Sequence, residues 1–359
     1  MEKKLKELRK KIDNIDNKIL KYLNKRAIIA KQIAKIKLQE KKNIFSPERE
    51  HIIISNLIKN NKGPLTNKDI KNIFTEILHS CRGLQRKIKV AYLGPEITFT
   101  HLAAIKLFGS SAEYIPARSI PDVFEEVEKG FAEYGVVPVE NSQEGVITYT
   151  LDMFIESNLK ICAEIYTTVT HALLSKGNDI EKIKYVYSHP QALAQCRNWL
   201  EKHLPHAKKI ETSSTAEAAT RILHQKHNKN IAAIAAVEAA KYYNLNILAE
   251  RIEDTQDNIT RFLVIGHDFP PPSGNDKTSI MFSVRDRVGA LHDSLVPFKK
   301  YHINLTKIES RPSKRKPWEY IFFADFLGHV SKQNVKRALE ELKEECLTLK
   351  ILGSYPKAL

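Results

Sequence analysis

The 359-residue sequence has no uninterrupted apolar run near the roughly 18–20 residues of a membrane span. Its first residues, Met1-Glu2-Lys3-Lys4-Leu5, are charged, with no apolar stretch behind them to read as a secretory signal. The four cysteines, Cys81, Cys162, Cys196 and Cys346, stand far apart, without a CxxC pair or a histidine at metal-ligand spacing. That removes a disulfide framework and a structural zinc. There is no low-complexity tract, and a composition of 42% hydrophobic and 28% charged residues excludes a disordered or fibrous chain. The expectation is a soluble cytoplasmic protein without metal or cofactor, large enough for two or three domains.

What the sequence does have is a net charge of +15, a first pointer to nucleic acid or an anionic surface. Its distribution is uneven. Residues 1–87 hold 23 Lys+Arg against 9 Asp+Glu, so almost all the excess lies in the first quarter of the chain. Leu5, Leu8, Ile12, Ile15, Ile19, Tyr22, Arg26, Ile29, Ile33 and Ile36 alternate steps of three and four there, with no Gly or Pro before Pro47. This heptad seam predicts a helix of some 38 residues, about 57 Å long. A helix of that length asks for pairing with a second chain. Ser46-Pro47 opens a second helix that Gly63-Pro64 ends, and a third runs over 66–87.

From Ile88 short β-branched runs alternate with helical stretches, which predicts an α/β domain over 88–268. Strands are expected at 89–93, 134–139 and 261–265 and a strand-like run at 161–174, with helices at 100–108, 192–203 and 216–224. Pro270-Pro271-Pro272-Ser273-Gly274-Asn275-Asp276 breaks all periodicity and reads as a linker. Residues 278–356 then follow the order βαββαβ, a ferredoxin-like α+β arrangement that by itself names no ligand.

The chemistry begins with Arg26. A guanidinium at a seam position is costly unless an anion or a carboxylate meets it. It either sets the register by pairing with a partner helix or receives an anionic ligand. Lys37 lies eleven residues on, within about 20° of the same direction. Two cations thus point one way, three turns apart. Arg9 is about 100° away and would join them more easily from another chain.

At this point the residues of 1–87 resemble the all-helical chorismate mutase family, an intertwined helical dimer. The match runs through LRKKIDNIDNKILKYLNKR at 8–26, IAKIK at 33–37, SPERE at 46–50 and IFTEILHSCRGLQ at 73–85. The resemblance implies a chorismate-binding set of Arg9 from the partner chain, Arg26, Lys37, Ser46, Arg49, Glu50, Cys81 and Gln85. Lys37 and Gln85 would face the ether oxygen that gains charge during the rearrangement. Ser46 stands where many members carry Asp, and Cys81 where Ser is common.

Residues 88–268 resemble prephenate dehydratase, a two-lobed α/β fold like a type II periplasmic binding protein. Five stretches carry the likeness in order: GPEITFTH at 94–101, VPVENSQEGVI at 137–147, SHPQALAQC at 188–196, STAEAA at 214–219 and DNITRF at 257–262. The resemblance implies Thr260 as donor to the departing hydroxyl of prephenate, and Arg261 holding a carboxylate or bracing the site. Glu140, Asn141, Ser142, Ser188, Gln191 and Phe262 would complete the cleft. Glu140-Asn141-Ser142 also reads as a helix cap and Ser188-His189-Pro190 as a helix start. Glu140, His189 and a water all stay open as proton source. Glu217, His101 and His171 are weaker candidates.

The last segment resembles a phenylalanine-sensing ACT domain, through GALHDSL at 289–295 and ESRPS at 309–313. It implies an L-phenylalanine site at Gly289, Ala290, Leu291, Glu309, Ser310, Arg311 and Pro312, between two copies in a homodimer. Lys314-Arg315-Lys316 reads as a solvated loop. Together the three resemble the bifunctional chorismate mutase/prephenate dehydratase family, acting on chorismate and prephenate and inhibited by L-phenylalanine, with no nucleic acid or membrane partner. The alternative is a ligand-responsive nucleic-acid-binding regulator with a basic helical head and an ACT sensor.

Overall fold

The computed structural model describes residues 1–40, 42–225, 229–285, 287–312 and 320–358. It divides into two compact units: Met1–Ile88 with Phe108–Glu113, and the remainder. The first unit is helical: α1 (Glu2–Gln39), α2 (Pro47–Asn60) and α3 (Asn67–Gly83). Thr66 and Asp69 cap α3 reciprocally, satisfying two of its free N–H groups. Ser46 caps α2 without a side-chain hydrogen bond, because its hydroxyl is committed elsewhere. Within α1 only Ala30 and Ala34 are buried, while Leu5, Ile12, Ile19 and Ile33 of the seam are about half exposed.

In the second unit the first lobe comprises β1 (Lys89–Leu93), α4 (Phe99–Phe108), β2 (Glu113–Ala117), α5 (Ile120–Glu128), β3 (Tyr134–Asn141), β4 (Gly145–Val146), α6 (Thr148–Glu156) and β5 (Lys160–Thr168). The chain then crosses to a second lobe of β6 (Ala172–Ser175), β7 (Tyr185–Ser188), α7 (Pro190–Gln195), α8 (Arg197–His203), β8 (Lys208–Glu211), α9 (Thr215–His224), β9 (Ile231–Ala235), α10 (Glu238–Tyr243) and β10 (Asn246–Glu250). It returns through β11 (Ile259–Gly266). This double crossing gives the two-lobed periplasmic-binding-protein-like arrangement. The strand-like run expected at 161–174 is therefore two strands in two sheets, parted at the crossing. The helix expected at 192–203 is likewise two, broken at Cys196.

The C-terminal part follows the anticipated βαββαβ order: β12 (Asp276–Val284), α11 (Ala290–Lys300), β13 (Leu305–Pro312), β14 (Tyr320–Leu327), α12 (Gln333–Glu345) and β15 (Cys346–Pro356). It is less separate than expected. The strands form one sheet with the first lobe, in the order β13-β14-β12-β15-β5-β11-β3-β1-β2, with β4 beside β3. The join is parallel, Gly353 against Ile161, and a Cβ on Gly353 would overlap the carbonyl oxygen of Ile161. Met281, Ile321, Phe323, Leu352 and Tyr355 share one core with Val139, Phe154, Ile161 and Leu263. The stretch read as a linker is a tied turn: Asp276 is buried, and its carboxylate accepts from the Ser273 and Gly274 N–H groups.

Candidate active sites

In the helical unit the end of α1 meets the start of α2. The Lys37 ammonium donates to Ser46 Oγ at 2.6 Å and to the Ile44 carbonyl at 3.2 Å. Ser46 thus replaces the expected acid with a neutral acceptor. Burial lowers the Lys37 pKa from the ordinary lysine value, against the opposing influence of Glu48 and Glu50. Burial likewise raises Glu50, while the Arg82 guanidinium, 3.1 Å away, opposes the shift, as do Lys37 and Arg26 more weakly. Cys81 is buried, and Gln85 is part-buried with a buried Oε1 that has no hydrogen-bond partner among the described residues. Arg26 is half-buried, whereas Arg49 and Arg9 are exposed. The unbroken α1 sets Arg9 about 42 Å along the axis from Lys37, so the two cannot serve one pocket within a chain.

Arg82 was not anticipated. It is buried on α3 at 5.0 Å from the Phe45 ring and 5.7 Å from the Phe108 ring, a cation–π arrangement that offsets part of its desolvation. The signal was present: Arg82 interrupts the buried face of Leu78 and Cys81 much as Arg26 interrupts the seam.

In the second unit a cleft of about 240 Å³ opens where the chain crosses between lobes. It is lined by the starts of α4 (Thr98, Phe99, Thr100), α7 (His189, Gln191) and α9 (Ser213, Ser214, Thr215), by Asn141, Thr260 and Phe262 from the paired strands, and by Asn258 just before β11. No lysine or arginine among the described residues lines it. Asn141 accepts from the backbone N–H groups of Gln143 and Glu144, which fixes its amide orientation. Its Nδ2 then donates to Asn258 Oδ1 at 2.6 Å and to Thr260 Oγ1 at 2.8 Å. With its oxygen accepting, the Thr260 hydroxyl keeps its own proton to donate. Asn258 passes the same polarity to Gln195 Oε1 at 3.3 Å, which also lies 2.9 Å from His171 Nε2. The Gln195 oxygen can only accept there, so His171 carries a proton on Nε2, and burial lowers its pKa from the ordinary histidine value.

Strand alternation separates the anticipated residues. Thr260 and Asn141 face each other across β11 and β3, and on the opposite side of the sheet so do Arg261 and Glu140. Phe262 returns to the cleft side by alternation, and a bulge at Val139 of β3 brings Pro138 there too. Arg261 is therefore corrected out of the cleft: it is buried, with Nε 2.9 Å from Glu164, Nη1 2.5 Å from Asp325 and Nη2 donating to Tyr355. Glu140 is corrected too, being paired with Lys307 of β13 at 2.7 Å. Ser142 ties the loop by accepting from the Ile259 N–H and donating to the Asp257 carbonyl, and buried Ser188 donates to the Ile234 carbonyl, so neither faces the cleft. Gln191 and Phe262 do. His101 accepts from the Ile97 N–H and stacks on Tyr92, and Glu217 pairs with Arg221 on α9. Gln195 and Asn258 were missed as polar contacts, although both lie in quoted stretches.

In the C-terminal part Gly289, with φ +80°, leads into α11, where Ala290 is buried and Leu291 packs on the core. Along β13 Glu309 is part-buried, while Ser310 and Pro312 alternate onto the exposed side. Arg311 is engaged by Asp152 of α6 at 2.7 Å. Ser313 and the 314–316 basic run lie outside the described residues.

A basic helical head, a two-lobed cleft built around a hydroxyl donor and a βαββαβ module on a shared sheet define a multidomain enzyme with an appended sensor-type domain. Family models match in the same order: chorismate mutase type II over residues 8–86, prephenate dehydratase over 90–270 and the ACT domain over 278–344. The chain is 53% identical over 359 residues to a bifunctional chorismate mutase/prephenate dehydratase of Aquifex aeolicus, covering 99% of this chain and 98% of that one. The protein of the same description from Pseudomonas aeruginosa is 46% identical at the same coverage. Among solved structures, a prephenate dehydratase in complex with L-Phe from Arthrobacter aurescens aligns with a TM-score of 0.70 and 35% identity, over 76% of this chain and 90% of that one. A quorum quenching acylase, GqqA, aligns with a TM-score of 0.69 and 27% identity, over 75% of this chain and 98% of that one. The chain belongs to the bifunctional chorismate mutase/prephenate dehydratase family. Both catalytic activities follow from that membership, and the reading as a nucleic-acid-binding regulator falls.

Proposed function

We propose that the helical head converts chorismate to prephenate and the cleft converts prephenate to phenylpyruvate, as steps of L-phenylalanine synthesis under inhibition by L-phenylalanine. The first reaction is pericyclic, so it needs orientation and charge stabilisation without a covalent catalyst. Arg26, Arg49 and the partner's Arg9 hold the two carboxylates. The Lys37 ammonium has three protons and spends two on Ser46 and Ile44. The third, with the Gln85 amide, meets the ether oxygen as charge builds on it. Glu50, braced by Arg82, keeps the Lys37 charge in place. A second copy supplies Arg9 and covers the exposed seam of α1, making a homodimer.

The observation that carries the second half is the fixed polarity of Thr260. Because Asn141 donates to its oxygen, the hydroxyl hydrogen is free to meet the departing hydroxyl of prephenate. A threonine is a weak acid, so it polarises the leaving group and water completes the proton transfer. The amides at the starts of α4 and α9 receive the carboxylates. A lining without lysine or arginine among the described residues suits a carboxylate that must leave as carbon dioxide, because a cation would stabilise it most before the reaction. Acyl transfer of the GqqA kind is not favoured, since no carboxylate or imidazole lies within hydrogen-bonding distance of Thr260 among the described residues.

No helix among the described residues is long and apolar enough to cross a membrane. Cys81, Cys162, Cys196 and Cys346 are all free and buried, which fits the reducing cytoplasm. Feedback is supported by the L-Phe complex of the Arthrobacter relative, and Gly289–Leu291 with Glu309–Pro312 remain the proposed effector segments. The test is to give purified protein chorismate and follow prephenate and phenylpyruvate with and without L-phenylalanine. Both products should form in sequence, the second suppressed by the amino acid. Prephenate that persists without L-phenylalanine would refute the dehydratase half.

A further inference from the structure

The residues that leave the cleft by strand alternation all arrive at one place. On the reverse side of β3 and β11, Glu140 and Arg261 stand directly opposite each other, each one peptide from a cleft residue: Glu140 from Asn141, Arg261 from Thr260. Their partners come from the C-terminal module. Lys307 of β13 pairs with Glu140, and Asp325 of β14 with Arg261, while Lys277 of β12 reaches Glu164, which also accepts from Arg261. Lys307 and Asp325 are register neighbours, and both line, with Arg261, a cavity of about 30 Å³. Lys307 and Glu140 lie six strands apart in the sheet, about 29 Å if it were flat. Their 2.7 Å separation means the sheet curls so that β13 presses on the back of the dehydratase strands.

We infer that Lys307 and Asp325 are positioning residues of the dehydratase site, acting through Glu140 and Arg261 on Asn141 and Thr260. This rests on the cleft being the dehydratase site. The backbone between residues 140 and 141, and between 260 and 261, transmits any shift of β13 or β14 to the pair that orients the Thr260 hydroxyl. Any shift of the module would thus have a direct mechanical link to the donor, and catalysis depends on side chains outside the dehydratase segment.

The experiment uses the full chain with Lys307→Met, Glu140→Gln and the double variant, and reads prephenate turnover, its L-phenylalanine sensitivity and, as a control for folding, chorismate turnover. Lys307→Met should lower the dehydratase kcat about tenfold with KM within about twofold, since the donor is misaligned while the carboxylate contacts stay. The double variant should be no worse than either single one, and L-phenylalanine should inhibit the remaining activity at least about fivefold less well. Lys307→Arg should restore both properties, and the mutase rate should not move. Wild-type kcat and inhibition in both single variants would overturn the inference. So would parallel losses in kcat, KM and mutase rate that Lys307→Arg does not rescue, because that pattern marks a merely structural role. A wild-type chain that leaves prephenate intact overturns the function proposed above and this inference with it, whereas normal turnover with silent variants overturns this inference alone.

Discussion

On the proposed function, the helical head and the cleft would meet related dianions by opposite means. The head brings the side-chain cations Lys37 and Arg26 within electrostatic reach of Glu50, which is itself paired with Arg82, and Glu48 adds a second carboxylate beside Lys37. The cleft carries no lysine or arginine among the described residues and offers oriented neutral donors, from the amides at the starts of α4 and α9 to the Thr260 hydroxyl. The difference follows from the chemistry each site must support. A rearrangement that keeps both carboxylates gains from strong ion pairing before and during the reaction. A decarboxylation gains only from contacts that do not anchor the departing group.

Four substitutions or conditions break or sharpen that contrast. Arg26→Ala should cost the mutase about two to three orders of magnitude in kcat/KM and leave prephenate turnover unchanged, as coupled assays on each substrate would show. Asn141→Ala should slow the dehydratase about a hundredfold, because Thr260 loses the contact that fixes its direction and Asn258 loses its donor, with the mutase again as control. Raising ionic strength from about 0.05 to 0.5 M should raise KM for chorismate severalfold and KM for prephenate less, since part-exposed cations are screened and buried dipoles are not. The smallest effect is on pH. Lys37 must be charged, its pKa is already lowered by burial, and Glu48 is the strongest opposing influence. Glu48→Gln removes that support, so the alkaline limb of the mutase profile should move to lower pH, measured as kcat/KM against pH, while the dehydratase profile stays fixed.

The parts of the molecule that follow from local pattern were legible in the sequence. The 38-residue α1 emerged from seam spacing alone, and the βαββαβ order from alternating runs. Thr260, Asn141, Gln191 and Phe262, grouped by the motifs, line one cleft. Arg261 and Glu140, drawn to the same place by the motifs, lie on the reverse face because a motif is a string, whereas a strand distributes its residues to two faces; this leaves Arg261 the bracing role of the two expected for it, and period-2 counting from Thr260 sends it to that side. The joined sheet was hidden for a different reason. Pairing between Gly353 and Ile161 spans most of two domains, and nothing local to either residue announces it. The run from Ile161 to Leu174 concealed the lobe crossing because Thr167, Thr168, Val169 and Thr170 keep β-branched character through the turn.

The central claim is that Thr260 donates to the leaving hydroxyl in a site independent of the mutase. The most direct measurement is to give chorismate to the full-length Thr260→Val variant and follow both products in time. Prephenate should form at the wild-type rate and accumulate, with phenylpyruvate slowed about a hundredfold or more. Phenylpyruvate appearing at the wild-type rate would place the donor elsewhere and contradict the account.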